Sequence, residues 1–282
     1  MSAPPIKAGT AAPAVASSLI TFFLFAYALM WACFFTVAGL NIPAASPLGQ
    51  FLLLLGAFAP GIAALTLTAV TEGQAGVKAL LSRILQWKVG VWWYVFAVSY
   101  IAAVKLVVAL TIRLATGTWP RFGHDRPLLI VFAILFSTPF QAGEEVGWRG
   151  YALPRLTRRF GLPMASVMLG VIWACWHLPQ FFIRDADTFG QAFLPYALQV
   201  TALSVAIAWL WARTGHSLLL PMLLHAAVNN SKDIVPSATP GAHQMWSLQA
   251  SPVAWLTVTM LWICASYFLA RMRRLQPRGW PT

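Results

Sequence analysis

Negative charge is almost missing from this chain: its 282 residues hold seven Asp and Glu against 19 Lys and Arg. Charge of both signs together reaches only 9% of residues, where a soluble domain carries about 25%. A water-facing surface cannot be built from so little. Cysteine is also scarce. Cys33, Cys175 and Cys264 each lie within an apolar segment, and no Cys-x-x-Cys pair exists. That argues against a disulfide framework and against a cysteine-ligated zinc site. The pattern His-Glu-x-x-His is absent, which removes a zincin site from consideration. There is no internal repeat, no low-complexity tract, no separate soluble domain and no phosphate-binding or DNA-binding module.

Apolar residues are abundant, at 59%. Runs of about 20 such residues recur along the chain, the length needed to cross the hydrocarbon core as a helix. The expectation is an all-α transmembrane bundle occupying residues 1–282 as one domain. Spans are expected near 16–40, 49–71, 91–116, 127–157, 162–183, 191–213, 215–231 and 252–271. The first run is too long for a signal-peptide core and reads as a retained helix. The seventh is short and contains Pro221; the fourth is long, with a polar C-terminal half. Between the second and third spans, Val77, Leu80, Leu81, Ile84 and Leu85 fall at helical spacing among Lys78, Arg83 and Lys88. That pattern predicts an amphipathic helix lying on the membrane surface.

The net charge of +12 does not point to nucleic acid, because the basic residues sit in short connectors. Lys7, then Lys78, Arg83 and Lys88, Arg149 to Arg159, Arg213, and Arg271 to Arg278 fall on one side of the expected bundle. Arg113, Arg121, Arg126, Arg184 and Lys232 fall on the other. The positive-inside rule then puts both termini in the cytoplasm, in a cell or inner membrane. Fourteen Trp suit aromatic belts at the two interfaces.

The chemistry is expected within residues 127–231. Glu144 and Glu145 are adjacent inside the fourth span and precede Arg149. Glu145 and Arg149 are four apart, share a helix face and can pair; Glu144 points about 100° away and is free to face a cavity. A carboxylate at the bilayer centre costs about 2.5–3.5 kcal/mol, which favours a functional reason for Glu144. The fifth span carries Trp173 and His177, one turn apart. The seventh carries His225 and Asn229 at the same i, i+4 spacing. Each pair has a plain packing explanation, but three helices each supplying an inward polar group make a hydrolytic set. Glu144 and His177 can polarise a water, while His225 and Asn229 can stabilise an oxyanion. His216 is expected at an interface; His124 and His243 fall in outer loops, the latter next to a Pro/Gly-bearing stretch, Val235 to Gly241. Ser217 follows Gly215 and His216, and a capping role explains it better than nucleophilic attack. Lys105, within the third span, either snorkels to an interface or lines the cavity.

In order, Glu144-Glu145-x-x-x-Arg149, Trp173-x-x-x-His177 and His225-x-x-x-Asn229 resemble the three motifs of the CPBP family. That family contains CAAX prenyl proteases and bacteriocin-processing or immunity-type membrane proteins, also called the ABI family. Its second motif usually begins with Phe, so Trp173 is a departure. The resemblance implies a glutamate-dependent intramembrane endopeptidase. Glu144 and His177 would activate water, His225 and Asn229 would form the oxyanion site, and Glu145, Arg149 and Trp173 would support the geometry. It also implies a peptide or protein substrate in the bilayer, with lipidation an open point. Glu144, His177 and His225 are the ligand set if a divalent metal such as zinc is used; a metal-free route suits the residues equally. The competing classes are a non-enzymatic immunity-type protein and a proton-coupled transporter. An opening toward the cytoplasm is expected from the arginines between 149 and 159.

Overall fold

In the computed structural model, residues 11–237 and 245–274 are described, with side chains from Ser18 onward. His243, Lys7 and Arg278 lie outside the described residues, and so does part of the Val235 to Gly241 stretch. The described chain is helical. Helix α1 (Ala11–Gly39) leads into α2 (Pro47–Ala57), where the Ser46 hydroxyl caps the first turn by accepting from the Gly49 amide at 3.1 Å. A 50° bend joins α2 to α3 (Ala59–Ser82). Helix α4 (Val91–Thr116) follows, then α5 (Pro127–Ser137). After a tight turn at Thr138–Gln141 come the single turn α6 (Ala142–Glu145), a π-helical stretch at Val146–Ala152 and α7 (Leu153–Trp176). Helices α8 (Phe193–Arg213), α9 (Leu219–Ser231) and α10 (Pro252–Met272) complete the bundle.

Five of these segments are long and apolar enough to cross a membrane, or six if the bent α2–α3 pair is one span. This is an integral membrane bundle, and two features account for the difference from eight. Helix α9 has 13 residues, about 20 Å of helix, too short for a hydrocarbon core of about 30 Å. The expected fourth and fifth spans are joined in one run of 56 residues, Pro127–Phe182, which folds back so that His177 returns to Glu144. It is broken at Gly161, whose φ of 75° and ψ of 156° are open to a residue without Cβ. Pro221, expected to interrupt α9, sits in its first turn, where a missing N–H costs nothing.

Helix α8 is the hub. Its residues from Val200 to Ala208 are buried without interruption, as expected of a helix that is apolar on all sides. Outward-facing Leu24, Leu114, Leu128, Phe132, Phe136 and Ile263 are exposed, a surface that belongs against lipid rather than water. The amphipathic segment is a separate piece beyond Gly73, where φ is 66°. Leu80 is buried on the bundle, whereas Leu81, Leu85 and Trp87 stay exposed. Ser217 does not cap a helix. Its hydroxyl donates to the Gln86 carbonyl at 2.8 Å, and the Leu218 amide donates to the Arg83 carbonyl at 2.9 Å. The surface segment is thereby tied to the start of α9. His216 lies at that corner against Trp211. Burial and the nearby Arg83 push its pKa down to about 4, so the ring is neutral near pH 7.

A glutamate pair above a polar cavity

The stretch bearing the glutamates is pressed onto α3 through small residues. A Cβ on Gly143 would meet the Phe58 ring at 2.7 Å, and one on Gly147 would meet the Pro60 backbone at 2.5 Å. Such close approach is how membrane helices gain packing contacts. Immediately after Glu145 the backbone widens: the Leu153 amide donates to the Trp148 carbonyl, five residues back. Pro154 follows and has no N–H to continue an α-helical ladder. Widened turns of this kind often occur at functional sites.

The two carboxylates part company, as the helix geometry requires. Glu145 is sealed. Its Oε1 accepts from Arg149 Nη1 at 2.8 Å and from His225 Nδ1 at 2.9 Å, and both Glu145 and Arg149 have no exposed side-chain surface. The guanidinium also lies over the Trp173 ring, 4.4 Å from its centroid, a favourable cation–π arrangement. Glu145 Oε2 and Arg149 Nε and Nη2 have no hydrogen-bond partner among the described residues.

Glu144 faces the other way and keeps 13% side-chain exposure. Its Oε2 accepts from the indole N–H of Trp173 at 2.6 Å and of Trp148 at 3.3 Å. His177 Nε2 lies 3.9 Å from the same oxygen. The other His177 nitrogen, Nδ1, is 2.8 Å from the Trp173 carbonyl. A carbonyl only accepts, so Nδ1 carries the proton and a neutral ring leaves Nε2 as an acceptor. His177 caps the C-terminus of α7, which ends there two residues before Pro179.

Glu144, Trp173, His177, His225 and Asn229 all line one cavity of about 570 Å³. Asn229 is exposed to it and reaches Gln141 Oε1 at only 3.5 Å. The neighbouring Asn230 makes the firm bonds, to Ser137 Oγ on α5 and to the Ala226 carbonyl one turn back on its own helix, both at 2.8 Å. Three further residues join the site. Trp148 could have been read from its i+4 position relative to Glu144. Tyr196, whose ring meets His177 edge-on at 5.8 Å, comes from α8 and carries no local signal. Lys105 lines the cavity wall and does not snorkel.

The cavity reaches the loops holding Asp185, Asp187, Gln191, Lys232 and Asp233, together with Ala44. Asp185 accepts from the Ala44 amide at 3.1 Å, and Lys232 pairs with Asp187. This is the opposite end of the bundle from the arginines, which the second half of α7 separates from His177. The expectation of an opening on the arginine side is therefore corrected. Arg155 pairs with Glu72 at 2.8 Å and stacks on Tyr151, while Arg149 is internal. Arg158 and Arg159 are exposed at that end, and none of these cations lines the cavity that holds Glu144. His124 is exposed and contacts Arg121 at 3.3 Å, as a solvated loop residue should.

The metal set was tested on its donors. Among the described residues, no three His, Cys, Asp or Glu side chains converge as a metal site. Glu144 and His177 approach one another at 3.9 Å, but no third donor among these residues converges on the pair. The donors as arranged do not close a three-ligand site.

Comparison with known proteins brings out the same stretch. Residues 124–231 match the family model described as type II CAAX prenyl endopeptidase, Rce1-like. A curated relative, CAAX prenyl protease 2 of Methanococcus maripaludis, is 29% identical over 112 residues, 38% of this chain and 40% of that protein. The match therefore spans about two fifths of the relative's length. The segment that supplies Glu144, His177, His225 and Asn229 is similar to CPBP-type CAAX proteases, by family model and by relative alike.

Proposed function

We propose that this protein is an intramembrane endopeptidase in which Glu144 activates water. The observation that carries the reading is the half-buried Glu144 carboxylate, held by two indoles, 3.9 Å from His177 Nε2 in the wall of a large cavity. A gap of 3.9 Å is too long for a direct hydrogen bond and suits a water that donates one proton to Glu144 and one to Nε2. The lone pairs of that water then face the cavity, where a peptide carbonyl can be attacked.

In the reaction, Glu144 takes the water proton as the new C–O bond forms. The Asn229 amide donates to the oxyanion, and so does His225 Nε2 when its ring carries both protons. Glu144 then returns the proton to the leaving nitrogen as the C–N bond breaks. General-base catalysis of this kind contributes about 10²–10⁴-fold, and oxyanion donors about 10²–10³-fold each. No step is routed through a metal, because the donor set does not close around one.

The cavity wall opposite the polar groups is apolar, with Phe34, Leu53, Ile101, Val200, Leu203 and Ile207. It suits hydrophobic side chains or a lipid-modified residue. The description of the relative as a CAAX prenyl protease makes C-terminal CAAX-type peptides, prenylated and unmodified, the first substrates to assay. The connector charges favour both termini in the cytoplasm.

The test is cleavage of such peptides by purified protein in detergent or liposomes. Turnover should be abolished by Glu144→Gln, strongly reduced by His177→Ala and retained in chelator. Full cleavage by the Glu144→Gln protein would overturn the reading, and loss in chelator with rescue by zinc would replace its metal-free form.

A further inference from the structure

Lys105 has no part in the chemistry proposed above, yet it lines the same cavity. It sits mid-length on α4, about 17 Å from the nearer helix end, and only 1% of it is exposed. A lysine stem cannot carry its charge to an interface from there. The ammonium donates to the Val235 carbonyl at 3.1 Å and to Thr257 Oγ1 at 3.4 Å. Both are neutral oxygens, and an ammonium has a third N–H to give.

Among the described residues no carboxylate lies within ion-pair distance of this cation, and Asp233, two residues before Val235, attracts it only from farther off. Of the acids on the cavity, Glu144 is held by two indoles and Asp187 by Lys232. Asp185 accepts from the Ala44 amide, and Asp233 is exposed at the mouth. A cation kept out of water with only a distant counter-ion is costly, and an ionisable group at membrane depth marks a functional site.

We infer that Lys105 binds a carboxylate of the peptide in the cavity, and so helps to select which bond reaches Glu144. This rests on the peptidase reading above. A peptide brings a carboxylate from its C-terminus or from an Asp or Glu side chain; either gives a charge-assisted hydrogen bond to the ammonium.

One peptide is made in three forms: free C-terminal acid, C-terminal amide, and the amide with one Glu introduced. Binding of each to full-length Glu144→Gln protein is measured by fluorescence anisotropy, and KM and kcat are measured with Glu144 intact. One carboxylate-bearing form should bind about 10–100-fold more tightly than the plain amide. Preference for the acid identifies the terminus, and preference for the Glu form identifies a side chain. The preference should vanish in Lys105→Met, appearing as a raised KM, and survive in weakened form in Lys105→Arg. Equal binding of all three forms by protein containing Lys105 overturns the inference, as does an undiminished preference in Lys105→Met. If Lys105→Met does not fold, the three-form comparison with Lys105 present and the weakened preference in Lys105→Arg decide. Lys105-dependent binding without turnover would sink the peptidase reading and leave this one standing.

Discussion

Glu144 and Glu145 are neighbours in sequence and occupy opposite environments. One carboxylate meets two indoles, a histidine nitrogen and a cavity; the other meets a guanidinium and a second histidine with no exposed surface at all. A rotation of about 100° per residue produces this: the same backbone turn aims one acid at the reaction space and the other into the packing. The lesson is that identical chemical groups in tandem divide into a cavity-facing group and a strut, according to what each face of the helix meets.

The largest expected effect should separate them. Glu144→Gln is expected to lower kcat/KM by about 10²–10⁴-fold while leaving the thermal unfolding midpoint in detergent near that of the unaltered protein. Glu145→Ala is expected to do the reverse at first, costing about 3–5 kcal/mol of stability by stranding Arg149, with activity falling as the fold loosens. Unfolding in SDS–detergent mixtures measures the second. A Glu145→Ala protein as stable as the parent would break the distinction. Joint replacement, Glu145→Gln with Arg149→Met, is expected to recover much of the lost stability, since no lone charge remains buried.

Trp173 touches both sides of the division, and Trp173→Phe sharpens it. The ring that Arg149 stacks on is kept, and the N–H that holds Glu144 at 2.6 Å is lost. Turnover should fall about 10-fold, the scale of one hydrogen bond to a charged group, with stability barely changed. An equal loss of stability would show that the indole is chiefly a packing element. The smallest effects should come from the two asparagines. Asn230→Ala is expected to cost about 1 kcal/mol without altering kcat, because its bond to Ser137 joins α9 to α5. Asn229→Ala should lower kcat with little change in stability. The opposite pattern would move the oxyanion role from one residue to the other.

Much of this was legible before any fold was known. Sparse charge with long apolar runs announces a membrane bundle, because only closed helices satisfy their backbone there. The i, i+4 spacing of Glu145 and Arg149 predicts their ion pair. Rare polar residues within apolar runs mark Glu144, His177 and His225. Other features were hidden. The link from His225 to Glu145 joins residues 80 apart, and no local spacing encodes it. Tyr196 and Lys105 enter the cavity only because α8 and α4 pack where they do. Eight apolar stretches are read along the chain where five or six segments pass as membrane-spanning helices, because α9 is short and the fourth and fifth stretches are joined through Gly161. Charge clustering grouped the arginines, but it said nothing about which end of the bundle the cavity opens to.

By itself the sequence determined the class of molecule and the chemical inventory, since composition and helical periodicity act through local, short-range physics. Only the tertiary structure decided which face each helix turns inward. That choice is what sets a carboxylate beside a histidine, seals its neighbour against an arginine and leaves a lysine waiting in the wall. Burial and proximity between distant segments belong to the packed bundle as a whole, and no stretch of chain carries them alone.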